Sequence, residues 1–366
     1  MRLIAFYLPQ YHPIPENDLW WGKGFTDWTN VAKAKPLFRG HYQPHVPADL
    51  GFYDLRLDEV RERQAELARE YGVSGFCYYY YWFNGRRLLE RPLDDVLRLK
   101  RPDFPFCICW ANEQWTRNWD GRSHEVLVPQ VHTPESDRAF IHDVLPILED
   151  PRYIRIDNRP LLLIYRTELF PDMARTADLW REAALRRGIE LYLCRVESFI
   201  SPATPPDIHF DAACEFPPNY CSVPEPVAPV EFTLEPGQTW RGRIYDYEKM
   251  VRWLAHRPEP DYKLFLGAVP CWDNTSRSGL LSHIFINASP GLFRSMLTSA
   301  LRRTAERFQG DEQIVFVNAW NEWAEGCHLE PDLRHGHAFL EACKLALDSV
   351  SGGAKAAIAR TAKGWT

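Results

Sequence analysis

The sequence contains no apolar run near the roughly 20 residues that a transmembrane helix requires. The stretch Met1–Pro9 carries one positive charge and only about six apolar residues, too few for a secretory signal peptide, so we expect a first strand there and a cytoplasmic protein. An excess of basic residues is also missing: 43 Lys and Arg stand against 49 Asp and Glu, a net charge of -6. Because a nucleic-acid partner attracts a cationic surface, nucleic acid is not expected to bind.

Motifs for common cofactors, metals and nucleophiles are missing as well. The segment Pro9–Pro13 offers no Gly-x-Gly-x-x-Gly after the first strand-like run, and the chain has no P-loop, no Gly-x-Ser-x-Gly and no Asp-x-Asp. His12, His41 and His45 flank one long loop, but His-Glu-x-x-His and paired Cys-x-x-Cys spacings are absent. We therefore expect no cofactor and no metal. Nine cysteines, an odd number spread through strand-like runs, indicate reduced thiols.

The chain does contain an alternation of short apolar runs with longer segments of helical period. The strand-like runs are Leu3–Leu8, Gly75–Tyr80, Phe106–Trp110, Leu161–Tyr165, Leu191–Val196, Ala212–Glu215, Leu264–Ala268 and Ile314–Ala319. Amphipathic helices are expected at Leu57–Tyr71, Pro134–Leu148, Leu169–Arg187, Tyr247–His256, Leu292–Phe308 and Gly336–Leu347. This order predicts one α/β domain, a (β/α)8 TIM barrel over residues 1–350, followed by a frayed tail at 351–366. A doubly wound sheet is the competing fold, but it usually carries a Gly-rich turn after its first strand.

Long loops follow several of the predicted strands. They span about Pro9–Tyr53, Ala111–Thr133 and the Pro-rich segment Ser201–Gly237, which brackets the sixth strand. Catalytic groups of a barrel lie on the loops after the strands, so we expect the functional site at this end of the barrel. The Pro-rich segment has the composition of a rigid surface lid.

The end of the eighth predicted strand carries two glutamates, Glu322 and Glu325, three positions apart. In a continuing strand they would point to opposite faces, whereas one helical turn brings such residues to about 5–6 Å between Cβ atoms. Gly326 and Pro331 favour a turn there. Two converging carboxylates can act as acid and base, as glycoside hydrolysis requires. The alternative is that both glutamates are charges at the N-terminus of the last helix.

Tryptophan is abundant at the same end of the predicted barrel. Ten of the 14 tryptophans lie at or just beyond the ends of five predicted strands: Trp20, Trp21, Trp28, Trp82, Trp110, Trp115, Trp119, Trp272, Trp320 and Trp323. Such a mouth can stack on sugar rings, although each tryptophan alone can equally plug the barrel top. The run Tyr78–Phe83 alternates between the two faces of a strand, so only one or two of its tyrosines can face a ligand.

Five segments in order resemble the WbsX-like proteins over about residues 1–350. They are Ala5-Phe-Tyr-Leu-Pro-Gln-Tyr-His-Pro, Gly75-Phe-Cys-Tyr-Tyr-Tyr-Tyr-Trp-Phe, Cys109-Trp-Ala-Asn-Glu, Pro270-Cys-Trp-Asp-Asn-Thr-Ser-Arg and Asn321-Glu-Trp-Ala-Glu-Gly. WbsX-like proteins are bacterial, are associated with surface polysaccharide and O-antigen synthesis, and were named as glycosyltransferases. They in turn resemble glycoside hydrolase family 99, the endo-α-mannosidases and endo-α-mannanases, which are (β/α)8 barrels.

The resemblance to family 99 implies roles for the two glutamates. Glu322 looks like the carboxylate that deprotonates the 2-hydroxyl of the substrate, and Glu325 like the acid that protonates the leaving oxygen and then activates water. The implied reaction retains configuration through a 1,2-anhydro sugar. This chain departs from those hydrolases in having Ala324 before the second glutamate and Cys327-His328 after the glycine, where they commonly have His and Thr-Gln.

These observations predict a retaining, endo-acting glycoside hydrolase or transglycosidase on a surface polysaccharide with 1,2-trans α-manno- or α-rhamno-like linkages. An oligosaccharide or polysaccharide is thus the expected partner, and no protein partner is indicated. The alternatives are a glycosyltransferase of lipopolysaccharide synthesis and a non-catalytic glycan-binding protein. Beside the catalytic pair, the residues expected to contact substrate are Tyr11, His12, Trp20, Trp28, Tyr80, Trp110, Asn112, Glu113, Trp115, Arg195, Glu197, Glu215, Trp272, Asp273, Asn321, Trp323 and Glu330.

Overall fold

The computed structural model describes residues 1–117, 122–199, 201–218, 225–227, 232–234 and 237–363. Its centre is a sheet of parallel strands in the order β7-β6-β5-β4-β3-β2-β1-β9-β8. The strands are β1 (Arg2–Tyr7), β2 (Gly75–Phe83), β3 (Phe106–Trp110), β4 (Arg159–Ile164), β5 (Tyr192–Glu197), β6 (Ala212–Glu215), β7 (Leu264–Phe265), β8 (Gly267–Ala268) and β9 (Ile314–Val317). All eight predicted runs therefore form strands of one sheet.

The seventh predicted run closes this sheet into a barrel. Its first part, β7, pairs with β6, and its second part, β8, pairs with β9. A side chain at Gly267 would lie 2.5 Å from the backbone oxygen of Glu215, so glycine is required where the run passes from one neighbour to the other. The predicted (β/α)8 TIM barrel is confirmed, with the seventh strand split into two short pieces.

Helices surround the sheet, as the alternation predicts. They are α1 (Pro15–Trp21), α2 (Asp27–Lys33), α3 (Asp58–Glu70), α4 (Arg91–Leu99), α5 (Pro134–Leu148), α6 (Met173–Leu185), α7 (Tyr247–His256), α8 (Thr275–Ser278), α9 (Pro290–Arg307) and α10 (Ala338–Lys363). All six predicted helices are present. Four further helices, α1, α2, α4 and α8, lie in segments for which the sequence predicted no helix.

In the described residues, additional short strands lie around the nine strands of the barrel. Arg86–Leu88 pairs with β2, Arg155–Ile156 with β4, Trp115–Arg117 with Arg122–Val128, Arg243–Asp246 with His283–Ile286, and Asn321–Glu322 with Cys327–His328. Most of these pairs extend loops that follow barrel strands. They give the predicted long loops a regular backbone close to the barrel mouth.

Two layers of aromatic packing hold the barrel. Inside it, the ring of Phe6 lies 5.0 Å from that of Phe216 and 5.6 Å from that of Phe316. On the outer side, Trp110 stacks on Phe140 of α5 at 3.7 Å. Strands of a parallel barrel are buried on both faces, which explains why their sequences read as continuous apolar runs.

Parts of the loops and of the C-terminal segment lie outside or at the edge of the described residues. Trp119 and parts of the Pro-rich segment lie outside the described residues. The last helix, α10, continues past residue 350 into the predicted tail, and the division of the chain at that point stays a prediction. None of the helices in the described ranges has the length and apolar character that crossing a membrane demands.

Candidate active site

A tight hairpin after β9 carries the two predicted catalytic glutamates. Asn321–Glu322 pairs antiparallel with Cys327–His328, and a 3-10 turn at Trp323–Glu325 joins them. Gly326 ends the turn with φ of +64°, a conformation that glycine adopts without strain. The predicted turn is confirmed. The alternative of charges at a helix N-terminus is wrong, because α10 begins only at Ala338.

Arg277 of α8 joins both glutamates to a third carboxylate. Its Nη2 lies 2.6 Å from Glu322 Oε1 and 2.7 Å from Asp27 Oδ2, and its Nη1 lies 2.9 Å from Glu325 Oε1. Asp27 is fully buried at the first turn of α2, where Asn30 donates to its other oxygen. One guanidinium therefore brings the two glutamates together and fixes their orientation.

Burial dominates the protonation of this cluster. It raises the pKa of Glu322 well above the usual value, and it also raises the pKa of Glu325, while Arg277 opposes both shifts. The Glu322 side chain is 5% exposed and that of Glu325 is 24% exposed, so Glu325 is the one that solvent and ligand can reach. Because three carboxylates share one cation, the cluster favours a state in which at least one carboxylate is protonated. The protonated group can act as an acid beside an ionised carboxylate that acts as a base.

Asp27 and Arg277 were absent from the predicted site. Arg277 ends the motif that begins at Pro270, so its position in a motif was a usable signal. Asp27 lies in a long loop before Trp28 and had no such signal. Its role depends on α2 folding back over the barrel mouth, which the sequence pattern did not reveal.

A cavity of about 600 Å³ opens over the glutamates. Of the predicted residues, it is lined by Trp20, Glu113, Trp115, Trp272, Glu322 and Glu325. Its other walls include Gln10, Asn17, Trp21, Tyr79, Tyr81, Tyr165, Phe216 and Arg277. Glu113 forms an ion pair with Arg166, and burial raises the pKa of Glu113 despite that arginine. The cavity thus combines aromatic walls with carboxylates at its base.

Of the tyrosines of β2, the predicted Tyr80 does not face the cavity, whereas Tyr79 and Tyr81 do. Tyr80 donates to Asp143 Oδ2 of α5 at 2.7 Å and lies on the helix side of the strand. Tyr79 and Tyr81 line the cavity instead, because successive side chains of a strand point to opposite faces.

Five other predicted residues belong to the catalytic hairpin or pack behind it and do not line the cavity: Tyr11, Trp28, Asn321, Trp323 and Glu330. Asn321 exchanges two hydrogen bonds with the backbone of Leu8, and Tyr11 Oη donates to the Asn321 carbonyl oxygen at 2.8 Å. Trp323 Nε1 donates to Glu330 Oε2 at 2.7 Å. These contacts tie the hairpin to the end of β1, so the five residues support the site from beneath.

Glu330 is buried, and its hydrogen bonds connect the residues that support the hairpin. Its carboxylate accepts hydrogen bonds from Tyr53 Oη at 2.8 Å, Gln64 Nε2 at 2.7 Å and Trp323 Nε1. Burial raises its pKa to about 7, although the donors favour the ionised form. With its oxygens occupied by protein donors, Glu330 is not available to a ligand.

The remaining predicted residues do not line the cavity: His12, Trp110, Asn112, Arg195, Glu197, Glu215 and Asp273. Asn112 exchanges hydrogen bonds with the backbone of Arg166. Glu215 pairs with Arg257 at 2.6 Å, and Arg195 with Glu197 at 2.7 Å.

Asp273 and His12 are both buried, but their surroundings differ. Asp273 accepts from His41 Nε2, Gln43 Nε2 and Thr275, and these hydrogen bonds lower its pKa although burial alone would raise it. Burial lowers the pKa of His12 to about 4, so this side chain is neutral. Neither residue lines the cavity.

The fold is similar to that of solved glycoside hydrolases. An endo-α-mannosidase of glycoside hydrolase family 99 from Bacteroides thetaiotaomicron matches with a TM-score of 0.57 and 15% identity, over 97% of this chain and 98% of the other. A glycoside hydrolase-like protein matches with a TM-score of 0.57 and 16% identity, over 94% and 93%. At this identity the likeness shows the fold.

Sequence relatives exist in Xanthomonas campestris pv. campestris. The uncharacterized protein WxcX of strain B100 is 47% identical over 346 residues, which cover 94% of this chain and 49% of WxcX. WxcX of strain ATCC 33913 gives the same identity and coverage. The chain spans about half the length of these relatives. The model of the family described as glycosyltransferase WbsX matches residues 3–343, and the chain belongs to this family.

Proposed function

We propose that this chain is a retaining glycosidase or transglycosidase acting on a polysaccharide. The carrying observation is that the buried Glu322 and the partly exposed Glu325 share Arg277 at the base of an aromatic cavity. Tryptophan and tyrosine walls suit sugar rings, and the cavity volume of about 600 Å³ leaves room for sugar on either side of a scissile bond.

The difference in exposure of the two glutamates supports the assignment of their roles. Glu325 is the more accessible, which suits an acid that protonates the leaving oxygen and later activates water. Glu322 lies deeper, and the Arg277 charge beside it opposes the effect of burial and favours the ionised form, which a base needs to take a proton from a hydroxyl of the bound sugar. In this proposal the sugar 2-oxygen attacks the anomeric carbon, so no bond forms between sugar and enzyme.

The proposed substrate is a surface polysaccharide of the O-antigen type with 1,2-trans α-manno- or α-rhamno-like linkages. This follows from the resemblance to the family 99 enzymes and from the association of WbsX-like proteins with polysaccharide synthesis. The proposed endo action follows from the same resemblance.

Substitution of each glutamate by its amide tests the proposal. The purified chain is incubated with surface polysaccharides of the O-antigen type, and products are separated by size. We expect Glu322→Gln and Glu325→Gln each to lower turnover at least about 10²-fold. Glu259→Gln is the matched control, since Glu259 also pairs with arginines, Arg303 and Arg307, but lies outside the cavity. Binding without turnover in the unsubstituted chain would select a glycan-binding protein instead.

A glycosyltransferase is the second candidate, favoured by the description of the family model. Calorimetric titration with nucleotide-sugars separates the two. Saturable binding of a nucleotide-sugar, with transfer to an acceptor glycan, would replace the glycosidase proposal.

A further inference from the structure

A cluster of two histidines and an aspartate lies behind the catalytic hairpin, outside the cavity. His45 comes from the long loop after β1, whereas His328 and Asp332 follow the hairpin turn. All three side chains are buried, and one nitrogen or oxygen of each lies within 4.8 Å of the others. The sequence predicted no metal because these residues match no short spacing motif, and His45 is far from the other two in the chain.

The hydrogen bonds of His328 fix its tautomer. Its Nδ1 lies 2.9 Å from the carbonyl oxygen of Glu330, and a carbonyl oxygen can only accept, so Nδ1 carries the hydrogen. In the neutral ring Nε2 then carries no hydrogen and presents a lone pair. A histidine oriented by a backbone carbonyl in this way has the arrangement typical of a metal ligand.

The lone pair of His328 faces two further electron-pair donors. Its Nε2 lies 2.9 Å from His45 Nδ1 and 3.9 Å from Asp332 Oδ2. Zinc binds nitrogen and oxygen at about 2.0–2.2 Å, so neighbouring ligand atoms around it stand about 3.3 Å apart, and these two separations bracket that value.

We propose that His45, His328 and Asp332 form a structural site for a divalent cation of the zinc type. Two imidazoles and one carboxylate are ligands that zinc accepts in protein sites. The site would fasten the loop after β1 to the catalytic hairpin, where Leu333 N already donates to the Val46 carbonyl oxygen and Ala48 N to that of Pro331. The cation would position the hairpin without touching substrate, so the proposal is independent of the reaction catalysed.

Metal content of the full chain tests the proposal. After growth with added zinc and gel filtration, we expect about one zinc per wild-type chain by mass spectrometry. His45→Asn and Asp332→Asn should each weaken zinc binding at least about tenfold in competition with a chelator. His132→Asn is the matched control, since the buried His132 lies 3.6 Å from Asp137 in a pair that belongs to no three-ligand group among the described residues.

A second measurement tests the proposal even if a variant fails to fold. Cobalt added to the wild-type chain should give the intense visible absorption bands of a tetrahedral site, and EDTA should lower the melting temperature of wild type but not of His45→Asn. The opposing outcome is that His45 and His328 form only a hydrogen bond with each other and bind no metal. Zinc well below one per chain, weak cobalt bands, or equal zinc affinity in wild type and both ligand variants would overturn the proposal.

Discussion

At the scale of single residues, Arg277 controls the charge of the catalytic cluster. It contacts Asp27, Glu322 and Glu325, and its positive charge lowers the pKa of both glutamates against the effect of burial. The three carboxylates in turn raise the pKa of Arg277, although burial alone would lower it, so the guanidinium stays charged. The cluster therefore responds as one unit to any change in one of its members.

Arg277→Gln should shift the pH profile of turnover. Loss of the cation leaves burial unopposed, so the pKa of both glutamates rises, and the base must be ionised at a higher pH. We expect the acidic limb of the kcat/KM profile to move upward by at least about one pH unit. Arg277→Lys retains the charge and should restore much of the profile. A profile that keeps its shape in Arg277→Gln while only its amplitude falls would show that Arg277 does not set these pKa values.

The tyrosines of β2 show how far a single side chain can be predicted. The sequence predicts the alternation of faces along Tyr78–Phe83, and the structure follows it. A run in which every residue is aromatic has no polar residue to mark the solvent or helix side, so the sequence leaves the phase undetermined and predicts Tyr80 where the structure has Tyr79 and Tyr81. The network of Glu330 was equally hidden, because its donors Tyr53 and Gln64 lie far away in the sequence.

At the scale of elements, long periodic segments were predictable and short ones were not. The sequence identified every barrel strand by its short apolar run and the six longer helices by their apolar period. Helices α1, α2 and α8 have at most seven residues, too few for a periodic signal, and α8 supplies Arg277. The candidate site was thus half predicted: its glutamates follow a strand, whereas Asp27 and Arg277 come from these short helices.

The turn between the two glutamates depends on Gly326. An alanine there would place its Cβ 3.0 Å from the backbone oxygen and 3.1 Å from the backbone nitrogen of Asp273, at a φ that alanine disfavours. We expect Gly326→Ala to cost about 1–2 kcal/mol of unfolding free energy and to lower turnover by displacing Glu325. Chemical denaturation and activity measure the two effects.

Gly310→Ala is the control for backbone strain alone. Gly310 has φ of +56°, but no heavy atom beyond the adjacent residues lies within 4 Å of the position that a Cβ would occupy, so alanine there should cost about 1 kcal/mol and leave turnover intact. Equal losses of stability and activity in both variants would refute a special contact between Gly326 and Asp273.

Glu330 should make the hairpin support sensitive to pH. Its pKa is raised from 4.5 to about 7 in the folded chain, so between these values the folded state binds more protons than the unfolded state. Stability then falls as pH rises through this window and levels off above it, by about 3 kcal/mol for this group. Glu330→Gln cannot titrate, and its melting temperature should fall less than that of wild type between pH 5 and 7. Parallel curves for the two proteins would contradict this assignment.

At the scale of the whole molecule, the barrel should be complete without the predicted tail. Ala346 of α10 is fully buried, Leu347 and Val350 pack partly on the core, and Ser351 and Gly352 are exposed. A chain ending at Val350 should therefore keep its melting temperature within about 2 °C. A chain ending at Glu341 is the control, because it loses buried Cys343 and Ala346 and should melt far lower. A large loss in the first truncation would make residues 351–363 part of the domain.

The cavity and the catalytic pair together lead to a prediction about the substrate. If Glu322 takes the proton of the 2-hydroxyl, that oxygen must attack the anomeric carbon from the face opposite the leaving group, which only a 1,2-trans sugar permits. A 2-deoxy or 2-O-methyl analogue of a confirmed substrate should then bind in the cavity but not react. Binding by calorimetry and product formation by chromatography distinguish these steps. Cleavage of the analogue at a comparable rate, or a glycosyl-glutamate trapped by mass spectrometry, would mean that the enzyme itself supplies the nucleophile, as in an ordinary double displacement.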